Sequence, residues 1–133
     1  MLTSTLGDEW SAVSLIDANE HFIVHNSAHS RARQTSNITH ELAHNLLEHD
    51  ASPVLLVDDQ EKILRPHDKQ QEDEAAWLTG TLLVPRPAAL EINRTKTSKA
   101  IMAERYGVSI RLLEYRLNVT GVKYQTRQTN RTR

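Results

Sequence analysis

Residues 40–44 read His-Glu-Leu-Ala-His. From Asn37 or Ile38 onward, Ile38, Leu42 and Leu46, with Ala43 and Leu47, recur at the spacing of one helical face. That periodicity calls for a helix with one apolar side buried, and it fixes where the two histidines go. Four residues apart, they leave the helix from the same face as neighbours. Thr35, Ser36 and Asn37 are the candidate N-caps just upstream. Two imidazoles so placed can share one metal ion. Neutral imidazole nitrogen binds Zn²⁺ at about 2.0 to 2.1 Å, and a catalytic zinc takes three protein ligands, leaving a fourth position for water. Glu41 supplies the carboxylate that could take a proton from that water and hand it to a leaving amine, which is the chemistry of amide hydrolysis. At the chain's own His and Glu frequencies the pattern arises by chance about 3% of the time. The bland reading is a polar stripe facing solvent, and the third ligand is what separates the two.

A ligand close by in sequence would need the pattern H-E-x-x-H-x-x-G-x-x-H, with a glycine at position 47 turning the chain so that residue 50 returns to the metal. Those positions hold Leu47 and Asp50, and without the glycine the helix carries Asp50 past the ion. His49 lies five residues beyond His44, about 140° further round a continuing helix, so it is expected to point away and act as a cation at the helix end. The third ligand is therefore expected from another element. Glu72-Asp73-Glu74-Ala75-Ala76 opens a second helical stripe that runs through Leu78, Leu82 and Leu83 and must stop near Val84, because Pro85 and Pro87 cannot continue it. Glu72 shares a face with Ala75, Ala76 and Thr79, small residues that allow close packing on the first helix, whereas Glu74 lies about 160° away. Glu72 is therefore chosen over Glu74. A metal-bound histidine also needs a partner for its other ring nitrogen, and Asp73, Glu48 and backbone carbonyls are the candidates.

The remaining composition narrows the class. The chain has 133 residues and no cysteine, so it has the length of one domain and any metal must rely on His and carboxylate. Sixteen basic against seventeen acidic residues leave a net charge of −1, which gives no polyanion-binding signal. No apolar run approaches the roughly 20 residues of a membrane span, and Met1 to Trp10 lacks a secretory layout, so a cytoplasmic location is expected. All seven histidines fall at positions 21, 25, 29, 40, 44, 49 and 67, in the first half of the chain.

Trp10 to Ile16 and His21 to Asn26 read as two antiparallel strands joined by a four- to five-residue loop, Ser27 to Ser36 as a polar connection, and Val54 to Val57 as a third, edge strand that could hold an extended peptide. The second helix is expected to start between Asp68 and Glu72. Short helices follow at Pro87 to Asn93, about Thr97 to Tyr106, and Ser109 to Val119, with Gly107 as the break between the last two. The expected fold is α+β: a small antiparallel sheet packed on the H-E-x-x-H helix, with an all-helical C-terminal half. Residues 1–122 form a single domain in this reading, and 123–133 a basic, flexible tail.

The segment Arg33 to His44, followed by Glu72-Asp73-Glu74-Ala75, Leu82-Leu83-Val84-Pro85, Ala103 to Ser109 and Tyr115-Arg116-Leu117, resembles the ImmA/IrrE-type metallo-endopeptidases over roughly residues 21 to 122. The resemblance implies zinc held by His40, His44 and Glu72 and Glu41 as the general base; by donor chemistry Mn²⁺ or another divalent ion is the alternative. It also implies a protein substrate, a helix-turn-helix repressor whose cleavage relieves repression of stress or mobile-element genes; from the charge balance and the lack of a long apolar run, no direct contact to nucleic acid or membrane is expected. Two other readings compete. The domain could be a zinc-containing partner that sequesters a regulator without cutting it, although the presence of Glu41 argues against that. Alternatively, Ile101 to Val119 could be a DNA-binding helix-turn-helix with Arg111 and Arg116 on its second helix, although Ile110, Leu112, Leu113 and Leu117 suit an inward-packing helix better. Tyr106, Arg111, Tyr115 and Arg116 are the candidates for stabilising an oxyanion.

Overall fold

The computed structural model describes residues 10–49 and 68–125. The expected strand at 54–57, Asp50 and the tail from residue 126 onward lie outside the described residues.

Two strands, β1 (Ala12–Asp17) and β2 (Glu20–His25), pair antiparallel with Ser14 opposite Ile23 and Leu15 opposite Phe22. The connection is tighter than expected. Asp17 and Glu20 still pair, so only Ala18 and Asn19 turn the chain, and Ala18 takes a φ of +52°, the positive value that short hairpin turns require at their first central residue. Because successive side chains alternate, Ser14 and Ile23 share one face, while Leu15, Phe22 and Val24 are exposed on the other.

Helix α1 (Arg31–Leu46) starts six residues earlier than the apolar period indicates. Its N-cap is Ser30, which accepts from the Arg33 N–H, in place of Thr35, Ser36 or Asn37. The first turns are polar, so they carry no hydrophobic period, and what fixes them is hydrogen bonding. Buried Asn26 accepts from the Ala28 N–H and donates to the Trp10 carbonyl, and the Gln34 amide donates to the His29 carbonyl at 2.7 Å. This network delivers the chain from the hairpin into the helix.

Helix α2 (Lys69–Leu83) begins where the sequence indicates, capped by Asp68, whose carboxylate accepts from the Gln70 and Gln71 N–H groups. It packs on α1, where Ala43 and Ala75 are completely buried. Three short helices follow: α3 (Arg86–Arg94), α4 (Lys99–Tyr106) and α5 (Ile110–Val119). Gly107 closes α4 in the left-handed conformation at φ +64°, as a C-terminal glycine commonly does. Val84, Ala89, Ile92, Met102, Ala103, Val108, Leu113, Leu117 and Val122 form the main apolar core among the described residues. The α+β class holds. Residues 122–125 form a last helical turn. Among the described residues no helix is long and apolar enough to cross a membrane.

Candidate metal centre

The amphipathic pattern of α1 sets the geometry. Ala43 faces the core with no exposure, and His40 and His44, flanking it by three residues and one, lie at the boundary with α2. Their Nε2 atoms are 3.1 Å apart. Glu72, in the first turn of α2, closes the triangle: its Oε2 lies 3.0 Å from His40 Nε2 and its Oε1 3.3 Å from His44 Nε2. Ligand atoms at zinc–nitrogen and zinc–oxygen distances in a tetrahedron are separated by about 3.3 Å; the two nitrogens stand near that spacing, and with one carboxylate oxygen all three donors lie within 4.8 Å of one another, close enough to converge on a single small cation. The donor set is two borderline imidazoles and one hard carboxylate, which suits zinc, with Mn²⁺ or another divalent ion as alternatives. Together His40, His44 and Glu72 are the group that could hold a metal ion among the described residues.

The electrostatics favour the same role. Burial, and then the neighbouring His40 ring, lowers the His44 pKa below the ordinary histidine value, against the pull of the Glu72 and Glu41 carboxylates. The neutral ring favoured in this way is the form that offers a lone pair to a metal.

Glu41 follows His40 by one residue and precedes His44 by three, and it turns toward the hairpin. It is 6% exposed, and its Oε2 accepts a 2.8 Å hydrogen bond from the Ser14 hydroxyl. Ser14 was not anticipated as a contributor. The signal was present in the sequence, however, since a hydroxyl residue sits between Val13 and Leu15 on the strand face that turns inward.

His49 does not point away. Helix α1 ends at Leu46, and the chain reverses through Glu48 at φ +54°, with the Glu48 N–H bonded to the Asn45 carbonyl and the His49 N–H bonded to the His44 carbonyl at 3.0 Å. This is a Schellman-type closure with glutamate in the left-handed position that glycine usually fills. It carries His49 back over the last turn, so its Nδ1 lies 2.9 Å from His44 Nδ1 and its Nε2 lies 3.0 Å from Glu74 Oε2. Extending the helical angle past residue 46 misplaced this side chain, and with no glycine at position 48 the sequence carries no marker of the reversal. The partner of the His44 outer nitrogen is thus His49, and not Asp73, Glu48 or a backbone carbonyl. Glu74 also accepts from the Gln70 amide at 2.9 Å, and these two hydrogen bonds, Gln70 first and then His49, hold its pKa below the usual carboxylate value.

The four oxyanion candidates occupy different environments. Arg116 is 3% exposed and donates from Nε to the Val84 carbonyl at 2.9 Å, so it locks α5 to the end of α2. Tyr106 packs against the helical core. Tyr115 and Arg111 are exposed on α5. With Leu113 and Leu117 buried and Arg116 committed to the fold, Arg111 is the basic side chain that α5 presents at the surface.

A peptidase family model described as the IrrE N-terminal-like domain matches residues 3–118, a span that begins before the hairpin and ends within α5. No curated protein and no solved structure matches the chain.

Proposed function

The chain belongs to the IrrE N-terminal-like family of peptidases, and from that membership we propose that it is a zinc-dependent endopeptidase with His40, His44 and Glu72 as metal ligands and Glu41 as general base. The observation that carries this reading is the convergence of the His40 and His44 Nε2 atoms, on the helix that also buries Glu41, with the two oxygens of the Glu72 carboxylate on α2, in contacts of 3.0 to 3.3 Å. When bound, a zinc ion in such a set polarises a carbonyl and acidifies water. The chain's own work is positional. His40 and His44 of α1 and Glu72 of α2 would hold the ion. Glu41 accepts the proton of the attacking water and returns it to the departing amine nitrogen as the C–N bond breaks. Ser14 donates to Glu41 Oε2 and so orients the carboxylate.

The resemblance to ImmA/IrrE-type enzymes supports a helix-turn-helix repressor as the protein substrate, acted on in the cytoplasm, so that cleavage switches on stress or mobile-element genes. Incubating the purified chain with a repressor encoded beside its gene, with and without a chelator, tests this directly. Intact chain is expected to cleave the repressor at one site and to stop when metal is removed. Glu41→Gln is expected to keep stoichiometric zinc while lowering the cleavage rate by about 10² to 10⁴. Undiminished relief of repression in Glu41→Gln would replace proteolysis with sequestration.

A further inference from the structure

His49 and Glu74 lie outside the donor triangle yet form a continuous chain with it. The His49 side chain is 7% exposed, its ring stands at 66° to that of His44 with centroids 5.0 Å apart, and its two nitrogens face His44 Nδ1 and Glu74 Oε2. Proton accounting leaves one consistent arrangement when His44 offers Nε2 to a metal. The His44 proton must then sit on Nδ1. It donates to His49 Nδ1, which must be bare, so the His49 proton sits on Nε2 and donates to the Glu74 carboxylate. Each nitrogen in the series carries one proton or accepts one, and the carboxylate at its end accepts two bonds, from His49 and from Gln70.

We propose that His49 and Glu74 are positioning residues for His44, holding its ring in the orientation and tautomer that present Nε2 to the metal. This rests on the reading of His40, His44 and Glu72 as the metal ligands. The two glutamates of the acidic stretch then have separate tasks that follow from their separation round α2: Glu72 faces both His40 and His44, while Glu74 faces the residue behind His44. The reversed backbone at Glu48 serves the same end, because His49 is tied to His44 twice, through its main-chain N–H and through its ring.

The test is a Zn²⁺ competition titration of the full chain against a chromophoric chelator, with thermal melting as the folding control. His49→Leu keeps the bulk and removes both ring nitrogens, and is expected to weaken zinc binding about 10- to 100-fold. His49→Asn can still accept from His44 Nδ1–H through its amide oxygen, and is expected to recover most of that loss. Glu74→Ala, at a partly exposed position, is expected to cost less than His49→Leu but more than threefold. In zinc-loaded protein, a protected His44 Nδ1–H proton with scalar coupling to His49 Nδ1 should appear by NMR and vanish in His49→Leu. Wild-type zinc affinity in His49→Leu, or His49→Asn as weak as His49→Leu, would overturn the positioning role. If His49→Leu does not fold, unchanged affinity in Glu74→Ala overturns it. Failure of the unmodified chain to bind zinc would instead sink the ligand assignment itself, and the positioning role with it.

Discussion

One end of α2 meets imidazoles and carboxylates, while the other sits on a bed of aliphatic side chains. In the hairpin, α1 and the segment between them, the buried groups are largely polar, Asn26, His29 and Glu41, with Ala43 of α1 and Ala75 of α2 as the fully buried apolar residues. Around the end of α2, Val84 joins eight other buried apolar residues from α3, α4, α5 and the turns beside them. Buried polar groups contribute little net stability even when bonded and cost much when they are not. Apolar burial contributes about 25 cal/mol for each Å² removed from water. The lesson is a division of labour within the described residues, in which the helical C-terminal half supplies stability and the N-terminal half spends it on holding charged groups in fixed positions. His25 Nδ1 and His29 Nε2, buried without a hydrogen-bond partner, lie in the same N-terminal half.

The division can be broken from the stable side first. Leu113→Ala removes a fully buried side chain from the core and is expected to cost about 2 to 5 kcal/mol in denaturant unfolding. Zinc affinity well below the melting transition should stay unchanged, and a parallel loss of affinity would show that the two halves are not separable. A smaller effect is expected at the joint between them. A Cβ at Gly80 would lie 2.8 Å from Arg116 Cδ, so Gly80→Ala should destabilise by about 1 to 3 kcal/mol as Arg116 is pushed off the Val84 carbonyl. Melting curves of Gly80→Ala measure this, and an Arg116→Ala background, which removes the δ atom, should remove most of the difference.

On the polar side, Ser14→Ala deletes the donor to Glu41 and should lower the cleavage rate about tenfold, the worth of a charge-assisted hydrogen bond, with the melting temperature nearly unmoved. A large drop in melting temperature with a normal rate would place Ser14 among the stabilising residues. The smallest change runs in the opposite direction. Glu48 holds φ at +54° without being glycine, so Glu48→Gly should raise stability by about 1 kcal/mol while leaving zinc affinity intact.

Legibility followed periodicity. The H-E-x-x-H helix, the start and end of α2, the α3 to α5 series and the Gly107 break were readable because their apolar stripes, prolines and caps are local signals. The first turns of α1 were not, since Arg31 to Ser36 have no apolar period and depend on Ser30, Asn26 and Gln34 hydrogen bonds across several residues. The hairpin was readable as a pair of strands but not in its two-residue turn, because Ala18 in a positive-φ position has no residue-type signature.

By itself, the sequence determined that His40 and His44 leave one face of a helix, that no thiolate could complete a metal set, and that Glu72 rather than Glu74 shares a face with the small residues of α2. Those facts follow from residue type and the 3.6-residue turn alone. Only the tertiary structure decided that the Glu72 carboxylate spans both imidazoles, that Ser14 reaches Glu41 from the sheet, and that His49 folds back onto His44 toward Glu74. Each of these depends on how separate elements dock or on a backbone reversal after a helix has ended, and helical geometry carries no information beyond the helix that obeys it.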